Sequence, residues 1–309
     1  LPDYSVHYEK KDADGRIEAR YPRITVFCRD NDPTLEFRDS DGKLLTTLLD
    51  VGFEPGKREA FQVRALFTCD KDEAFYGLGQ HQNYLMNQKG KEIKVWHDYD
   101  APGGESVGVP FLVSSKNYGI LFDNTSRITV RPVGDEKYEW ICDIGDALSF
   151  FIFCGSNADE VYGCYRKLTG AAPIPPKYAF GFMQSKERYK TQQELLEVGR
   201  KYREKGYPCD MLIVDWYHWK HLGDFTMDPE YWPDPAEMNR ELKELGFRTM
   251  VSIWPRAVRE SPNYAYLEKK GWFMRDKDGK PVYGTPTDPR GPDLDTTNPE
   301  CGQWLWGKI

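Results

Sequence analysis

Asp215 is the residue of this 309-residue chain that its neighbours best equip for chemistry. It follows the apolar run Met211–Val214 and opens a long loop, WYHWKHLGDFTMDPEYWPD, rich in aromatic and acidic side chains. A carboxylate accepts hydrogen bonds from hydroxyls, and an aromatic face suits the apolar face of a sugar ring, so the combination points to carbohydrate. Two further apolar runs end in similar company, one in Gln184, Ser185 and Lys186 and the other in Trp254. Each reading has a bland counterpart. Trp216, Trp219 and Trp232 can simply pack beneath the loop, as large aromatics usually do, and Asp215 can cap a turn or pair with a cation.

The elements that would position these residues follow from period and caps. The runs YAFGFMQ, DMLIVDW and TMVSIWP alternate with two helical patterns. Thr191 and Glu194 form a capping box, and Leu195, Val198 and Tyr202 supply one apolar face. Asp234, Pro235 and Glu237 repeat the signal ahead of Met238, Leu242 and Leu245. Gly206 and Gly246 stop the helices, and the next run follows within a few residues. Strand, helix, strand, helix, strand implies parallel pairing through right-handed crossovers. A doubly wound sheet would begin the same way, but no Gly-rich phosphate turn follows the first strand. In a (β/α) barrel the carboxyl ends of the strands build one mouth, where Gln184, Ser185, Lys186, Asp215, Trp216 and Trp254 are expected to converge.

The amino-terminal half reads differently. From Arg20 to about Phe153, alternating runs such as RITVFC, AFQVRALF, GILFDN and LSFFIF are separated by Gly, Asp and Asn turns, which predicts an antiparallel β-sandwich. A short helix in ADEVYGCYRKLTG and the joint APIPPK follow, placing a boundary near Ala171. The expected fold is therefore an α+β multidomain chain, a β-sandwich over residues 1–171 and the start of a barrel over residues 172–309. The first fifteen residues are polar and are expected to be frayed.

The net charge of -7 without a basic patch argues against nucleic acid and anionic membranes, and no apolar run reaches the length of a membrane helix. No signal-peptide pattern opens the chain, although Leu1 is not an initiator methionine and leaves a removed leader open. The seven cysteines are scattered without a C-x-x-C, which leans toward a reducing compartment such as the cytoplasm and away from structural zinc. His97, His218 and His221 invite a metal reading, but no third ligand accompanies the H-x-x-H pair. No G-x-S-x-G occurs, so a serine hydrolase is not expected.

The segments FGFMQSKERY, LIVDWYHW, DFTMDPEYWPDP and MVSIWP, with the upstream YGLGQH and VPFLVSSKNYGILFDN, resemble glycoside hydrolase family 31, the retaining α-glycosidases that include α-glucosidases and α-xylosidases. The likeness runs from about Phe75 to Trp306, and QSKERY with IVDWYHW leans toward the α-xylosidases. It implies a cofactor-free double displacement on a non-reducing terminal α-linked sugar, with carbohydrate as the binding partner. Asp215 would then bind sugar hydroxyls, Trp254 would form a wall of the same subsite, and Lys186, Trp216 and Trp219 would stand nearby. The segment WHDYDAPGGES fits a family loop that reaches the pocket, through either Asp98 or Asp100. The resemblance puts the nucleophile and the acid/base on the fourth and sixth barrel strands, beyond Ile309. Asn298 and Pro299 begin a third helix, so the chain is expected to be a fragment with about three of eight barrel units, inactive alone. Asp224, Asp228 and Asp295 are not read as catalytic; Asp224 and Asp295 are expected to hold loops or turns. A transglycosylase of the same family, or a non-catalytic carbohydrate-binding relic, are the alternatives.

Overall fold

The computed structural model describes residues 9–13, 16–29, 32–56, 60–98, 106–283 and 290–309. Two compact units divide the chain, Leu1–Ala172 and Pro173–Ile309.

The first unit is antiparallel. Its strands are β1 (Glu9–Ala13), β2 (Arg16–Arg20), β3 (Ile24–Arg29), β4 (Asp32–Asp39), β5 (Leu44–Pro55), β6 (Phe61–Thr68), β7 (Phe75–Gln80), β8 (Ile93–Val95), β9 (Val107–Ser114), β10 (Tyr118–Phe122), β11 (Ile128–Pro132), β12 (Lys137–Gly145) and β13 (Phe150–Cys154). Nine of them form one sheet in the order β1-β2-β3-β4-β5-β6-β12-β11-β8, and four form a second in the order β13-β10-β9-β7. The alternation read from the sequence is what folds them together. Val63, Ala65 and Phe67 of β6 are buried on one face, and so are Tyr138, Trp140 and Cys142 of the neighbouring β12. Ile120 and Phe122 join the same core from the second sheet, with the Phe122 and Trp140 rings stacked at 4.1 Å. A helix, α1 (Ala158–Thr169), is capped by Asn157, whose Oδ1 accepts from the Glu160 N–H at 3.0 Å. It lays Val161 and Tyr165 over Phe111 and Val113 of β9.

One expectation is corrected here. Within the first fifteen residues, Glu9–Ala13 are a strand rather than a frayed end, paired with β2 in a register that sets Ala13 opposite Arg16. The intervening Asp14-Gly15 is a two-residue hairpin signature, a local signal that outweighs the polar composition. The YGLGQH motif also acquires a reason. Register shifts between Gly77 and Gly79 in the β7–β9 pairing, and Gly77, Leu78 and Gly79 all have positive φ. The motif encodes a bulge.

The second unit begins with a single 3₁₀ turn, Lys177–Phe180, and then β14 (Met183–Gln184), α2 (Gln192–Glu204), β15 (Met211–Val214), α3 (Pro235–Glu244) and β16 (Arg248–Val251). The three strands are parallel in the order β14-β15-β16. This is the opening of a (β/α)8 barrel, and the barrel is not closed. YAFGFMQ does not extend as one strand. Its first half turns, with Gly181 N–H donating to the Tyr178 carbonyl, and only Met183 and Gln184 pair with β15.

The helix signals are realised as read. Thr191 accepts from the Glu194 N–H at 3.1 Å, and Asp234 from the Glu237 N–H at 2.8 Å. Gly206 and Gly246, just past the helix ends, take φ of 68° and 81°, the left-handed conformation that only glycine adopts cheaply. Leu195, Leu196, Met238 and Leu242 pack against Leu212, Val214 and Phe247. Gly199 permits the close approach, because a Cβ there would meet Leu242 Cδ2 at 3.0 Å and Leu212 Cδ1 at 3.3 Å. Ile213 and Met250 pair across β15 and β16 on the opposite face, where Met250 is exposed.

The chain after β16 builds a smaller core of its own. A helix the sequence reading did not anticipate, α4 (Tyr264–Lys270), packs Tyr264 and Leu267 with Trp272, Phe273 and Leu294, and α5 (Pro299–Trp306) adds Cys301 and Leu305. Asn298 caps α5 by accepting from the Glu300 and Cys301 N–H groups.

Leu242 is fully buried between α2, α3 and the sheet, and little around it can collapse. Leu242→Ala should therefore cost about 2–5 kcal/mol of stability in urea unfolding. A loss below about 1 kcal/mol would show that α3 does not hold this core.

Candidate functional site

Parallel register brings the site together. Val214 of β15 pairs with Val251 of β16, so the next residues, Asp215 and Ser252, leave the sheet side by side. Ser252 N–H donates to the Val214 carbonyl at 3.0 Å, and its hydroxyl donates to Asp215 Oδ1 at 3.1 Å. The second carboxylate oxygen makes no hydrogen bond among the described residues and is left to accept one from a ligand. Ser252 was not singled out in the sequence. Its position directly after the neighbouring strand was the signal available.

The loop after Asp215 is anchored at His218. That imidazole is 3% exposed, with Nδ1 at 3.3 Å from the Asp215 carbonyl oxygen. Burial lowers its pKa below the usual 6.5, against the opposing pull of Asp215, so the ring is neutral at pH 7 and can donate that bond.

The aromatic residues separate into wall and core. Trp216 and Trp254 stack at 5.2 Å with an interplanar angle of 21°, and Trp219 stands 6.5 Å from Trp254. With Tyr217, Lys220, His221, Leu222, Val258 and Arg290 they line a cleft of about 180 Å³. Trp232, at 1% exposure, is a core residue of the α2–α3 layer, so for it the packing reading holds. The sequence reading missed Arg290. Its guanidinium lies 4.4 Å from the Trp216 ring and 5.6 Å from the Trp254 ring, and it donates to the Tyr217 hydroxyl. Arg256 covers Trp254 at 5.2 Å and pairs with Asp293 at 3.0 Å. No motif marks Arg290, because the stretch carrying it is distant in sequence from the tryptophans.

The remaining candidates lie elsewhere. Lys186 Nζ donates to Glu194 Oε1 at 2.7 Å, and Glu194 Oε2 accepts from the Lys190 N–H. These contacts hold the Glu194 carboxyl below its ordinary pKa and raise that of Lys186. The lysine thus ties its loop to the start of α2. Gln184 accepts from the Tyr202 hydroxyl at 2.8 Å, which also turns it toward that helix. Asp98 belongs to the first unit, where it pairs with Ser106 in an isolated antiparallel bridge. Asp100 lies outside the described residues. Asp224 Oδ2 accepts from the His221 N–H, Asp228 Oδ1 from the Glu230 N–H, and Asp295 Oδ1 from the Thr297 N–H. Among the described residues no three His, Cys, Asp or Glu side chains gather as a metal site.

Comparison with known proteins agrees with both units. The model of the glycosyl hydrolases family 31 TIM-barrel domain matches residues 172–309, and that of the glycosyl hydrolase 31 N-terminal galactose mutarotase-like domain matches residues 3–130. An uncharacterised family 31 glucosidase of Pseudescherichia vulneris is 31% identical over 83% of this chain and 47% of its own length. An α-xylosidase of Saccharolobus solfataricus is 35% identical over 69% of this chain and 30% of its own. The crystal structure of a family 31 α-xylosidase from a soil metagenome, complexed with xylose, superposes with a TM-score of 0.85 at 28% identity, over 100% of this chain and 49% of that one. The chain thus spans less than half the length of each of these relatives. With matching sequence in both units and a matching fold, the chain belongs to glycoside hydrolase family 31.

Proposed function

We propose that the protein carrying this chain is a retaining, exo-acting α-glycosidase that removes a non-reducing terminal α-linked sugar, an α-xyloside or an α-glucoside. The observation that carries the reading is Asp215. It sits at a parallel strand's carboxyl end with one oxygen fixed by Ser252 and the other without a partner among the described residues, next to the stacked Trp216–Trp254 pair. Fixing one oxygen orients the other, and a carboxylate so held binds a hydroxyl without first giving up a competing partner. The substrate class is supported by the relatives, two of them α-xylosidases and one a glucosidase.

Asp215 would serve as a binding residue. Double displacement needs two carboxyl groups about 5–5.5 Å apart, a nucleophile and an acid/base. Asp224, Asp228 and Asp295 are engaged in their own turns, so the pair is expected on barrel strands beyond the three described. Trp216 and Trp254 would flank the sugar, with Arg290 keeping their rings in place. Lys186 is left out of the proposed pocket because Glu194 holds it.

Two outcomes in the complete protein test this reading, and a third tests the geometry of the site beneath it. Asp215→Asn keeps an acceptor for Ser252 but removes the charge, so kcat/KM for p-nitrophenyl α-glycosides should fall by about 2–4 kcal/mol with the fold intact. Near-normal turnover would defeat the assignment. Exhaustive chelation should leave activity unchanged, because the chemistry is assigned to carboxylates; loss with recovery on adding zinc would reverse that.

The third outcome concerns His218. Its folded pKa lies below 6.5, so as pH falls the unfolded chain takes up the proton first. Stability is fully present above pH 6.5 and drains as pH drops from 6.5 toward the folded pKa, by up to about 1.4 kcal/mol per pH unit. His218→Gln should flatten that part of the urea-stability profile, and an unchanged slope would show that His218 is not buried neutral.

A further inference from the structure

The outer face of the nine-stranded sheet carries a row of side chains that the core does not use. Register aligns them. Val63 pairs with Cys142, Cys142 with Ile128, and Ile128 with Val95, and all four side chains are buried. One residue further along, Asp143 of β12, Arg127 just before β11 and Trp96 just after β8 turn to the opposite face, and Gln62 of β6 stands beside them across the bulge that shifts the β6–β12 register between Cys142 and Gly145. At strand spacings of about 4.8 Å the row is roughly 14 Å long. These residues, with Ser126 and Ile144, line a cavity of about 550 Å³.

The chemistry of the row is specific. Trp96 is 46% exposed, an unusual cost for an indole. Its backbone is fixed, because its carbonyl accepts from the Ser106 hydroxyl at 3.1 Å and β9 approaches at Gly108, where a Cβ would collide with it. Arg127 Nε and Nη2 lie 2.9 and 2.7 Å from the same oxygen of Asp143, Oδ2. Oδ1 is left without a partner among the described residues, as is the half-buried amide of Gln62. The pair cancels its own charge, and the row offers an aromatic plane, an amide, a guanidinium edge and one carboxylate oxygen. An anionic or purely apolar ligand would leave half of these unsatisfied. A chain of neutral polyol rings satisfies all of them, one ring face on the indole and the hydroxyls on the polar groups.

We propose that this row is a second carbohydrate-binding site, one that holds a neutral oligosaccharide. The inference is independent of which bond the proposed pocket cleaves and rests only on carbohydrate being the ligand class. Binding of maltoheptaose and of a xyloglucan heptasaccharide to the purified protein would be followed by isothermal titration calorimetry in an Asp215→Ala background, which silences the proposed pocket. Saturable binding of at least one probe is expected, weakened about tenfold or more by Trp96→Ala and also by Gln62→Ala. Gln62 is not among the buried core residues and its amide makes no hydrogen bond among the described residues, so its variant remains informative if Trp96→Ala fails to fold. Absence of binding, or binding indifferent to both substitutions, would overturn the proposal. Hydrolysis of p-nitrophenyl α-glycosides by the unmutated protein reports separately on the proposed function, so either reading can fail alone.

Discussion

The parallel pairing of Val214 with Val251 is the constraint on which the site depends. Asp215 meets Ser252, and Trp216 stacks on Trp254, only because the two strands end level. That register is itself set from the opposite face, where Leu212, Val214 and Val251 pack against α2 and α3. A slip of one residue would exchange the helix-facing and helix-averted sets and separate Asp215 from its hydroxyl donor. Apolar packing and polar positioning are therefore one event. The helices fix which side chains face inward, and the strand ends inherit their alignment.

What leaves the strand ends is less ideal, and the departures concentrate beside Asp215. Tyr217 and Phe225 take φ of 59° and 55°, a conformation costing roughly 1–2 kcal/mol for a residue with a Cβ. Such strain persists only where the surroundings over-determine it. For Tyr217 they do. Its hydroxyl accepts from Arg290, its ring lies 4.7 Å from that of Trp216, and Arg188 stands 5.1 Å from its face. Phe225 packs edge-on against Trp304 of α5. The small core built after β16 thus steadies the loop that follows β15.

Legibility in the sequence followed the range of the interactions. Caps and stops depend on a few adjacent residues, so Thr191, Asp234, Asn298, Gly206 and Gly246 could all be read, as could the alternation that makes the sandwich. Strand lengths could not. Apolar residues continue past the last ladder bond, so YAFGFMQ looked like a full strand where only Met183 and Gln184 pair. Aromatic residues were ambiguous for the same reason, since type does not distinguish the buried Trp232 from the stacked Trp216. Ser252 and Arg290 depend on chain segments brought together only by folding. The ion pair of Lys186 with Glu194 could not be read either, because Glu194 also belongs to a capping pattern and was assigned entirely to it.

Asp215 and Asp143 share a design despite belonging to different units. In each, one carboxylate oxygen is committed to a fixed neighbour, Ser252 or Arg127, and the other is not. A fully bonded carboxylate would have to exchange partners before meeting a ligand, and an unbonded one would lose rotameric freedom on binding. Half commitment avoids both costs. The two carboxylates differ in the neighbour that holds them: a cation, Arg127, for Asp143, and a neutral hydroxyl, Ser252, for Asp215. A retained charge strengthens with any positive charge that develops on the ligand, while a cancelled one does not. On the proposed function, the first arrangement would suit holding a sugar, and the second a sugar that is about to become an oxocarbenium ion.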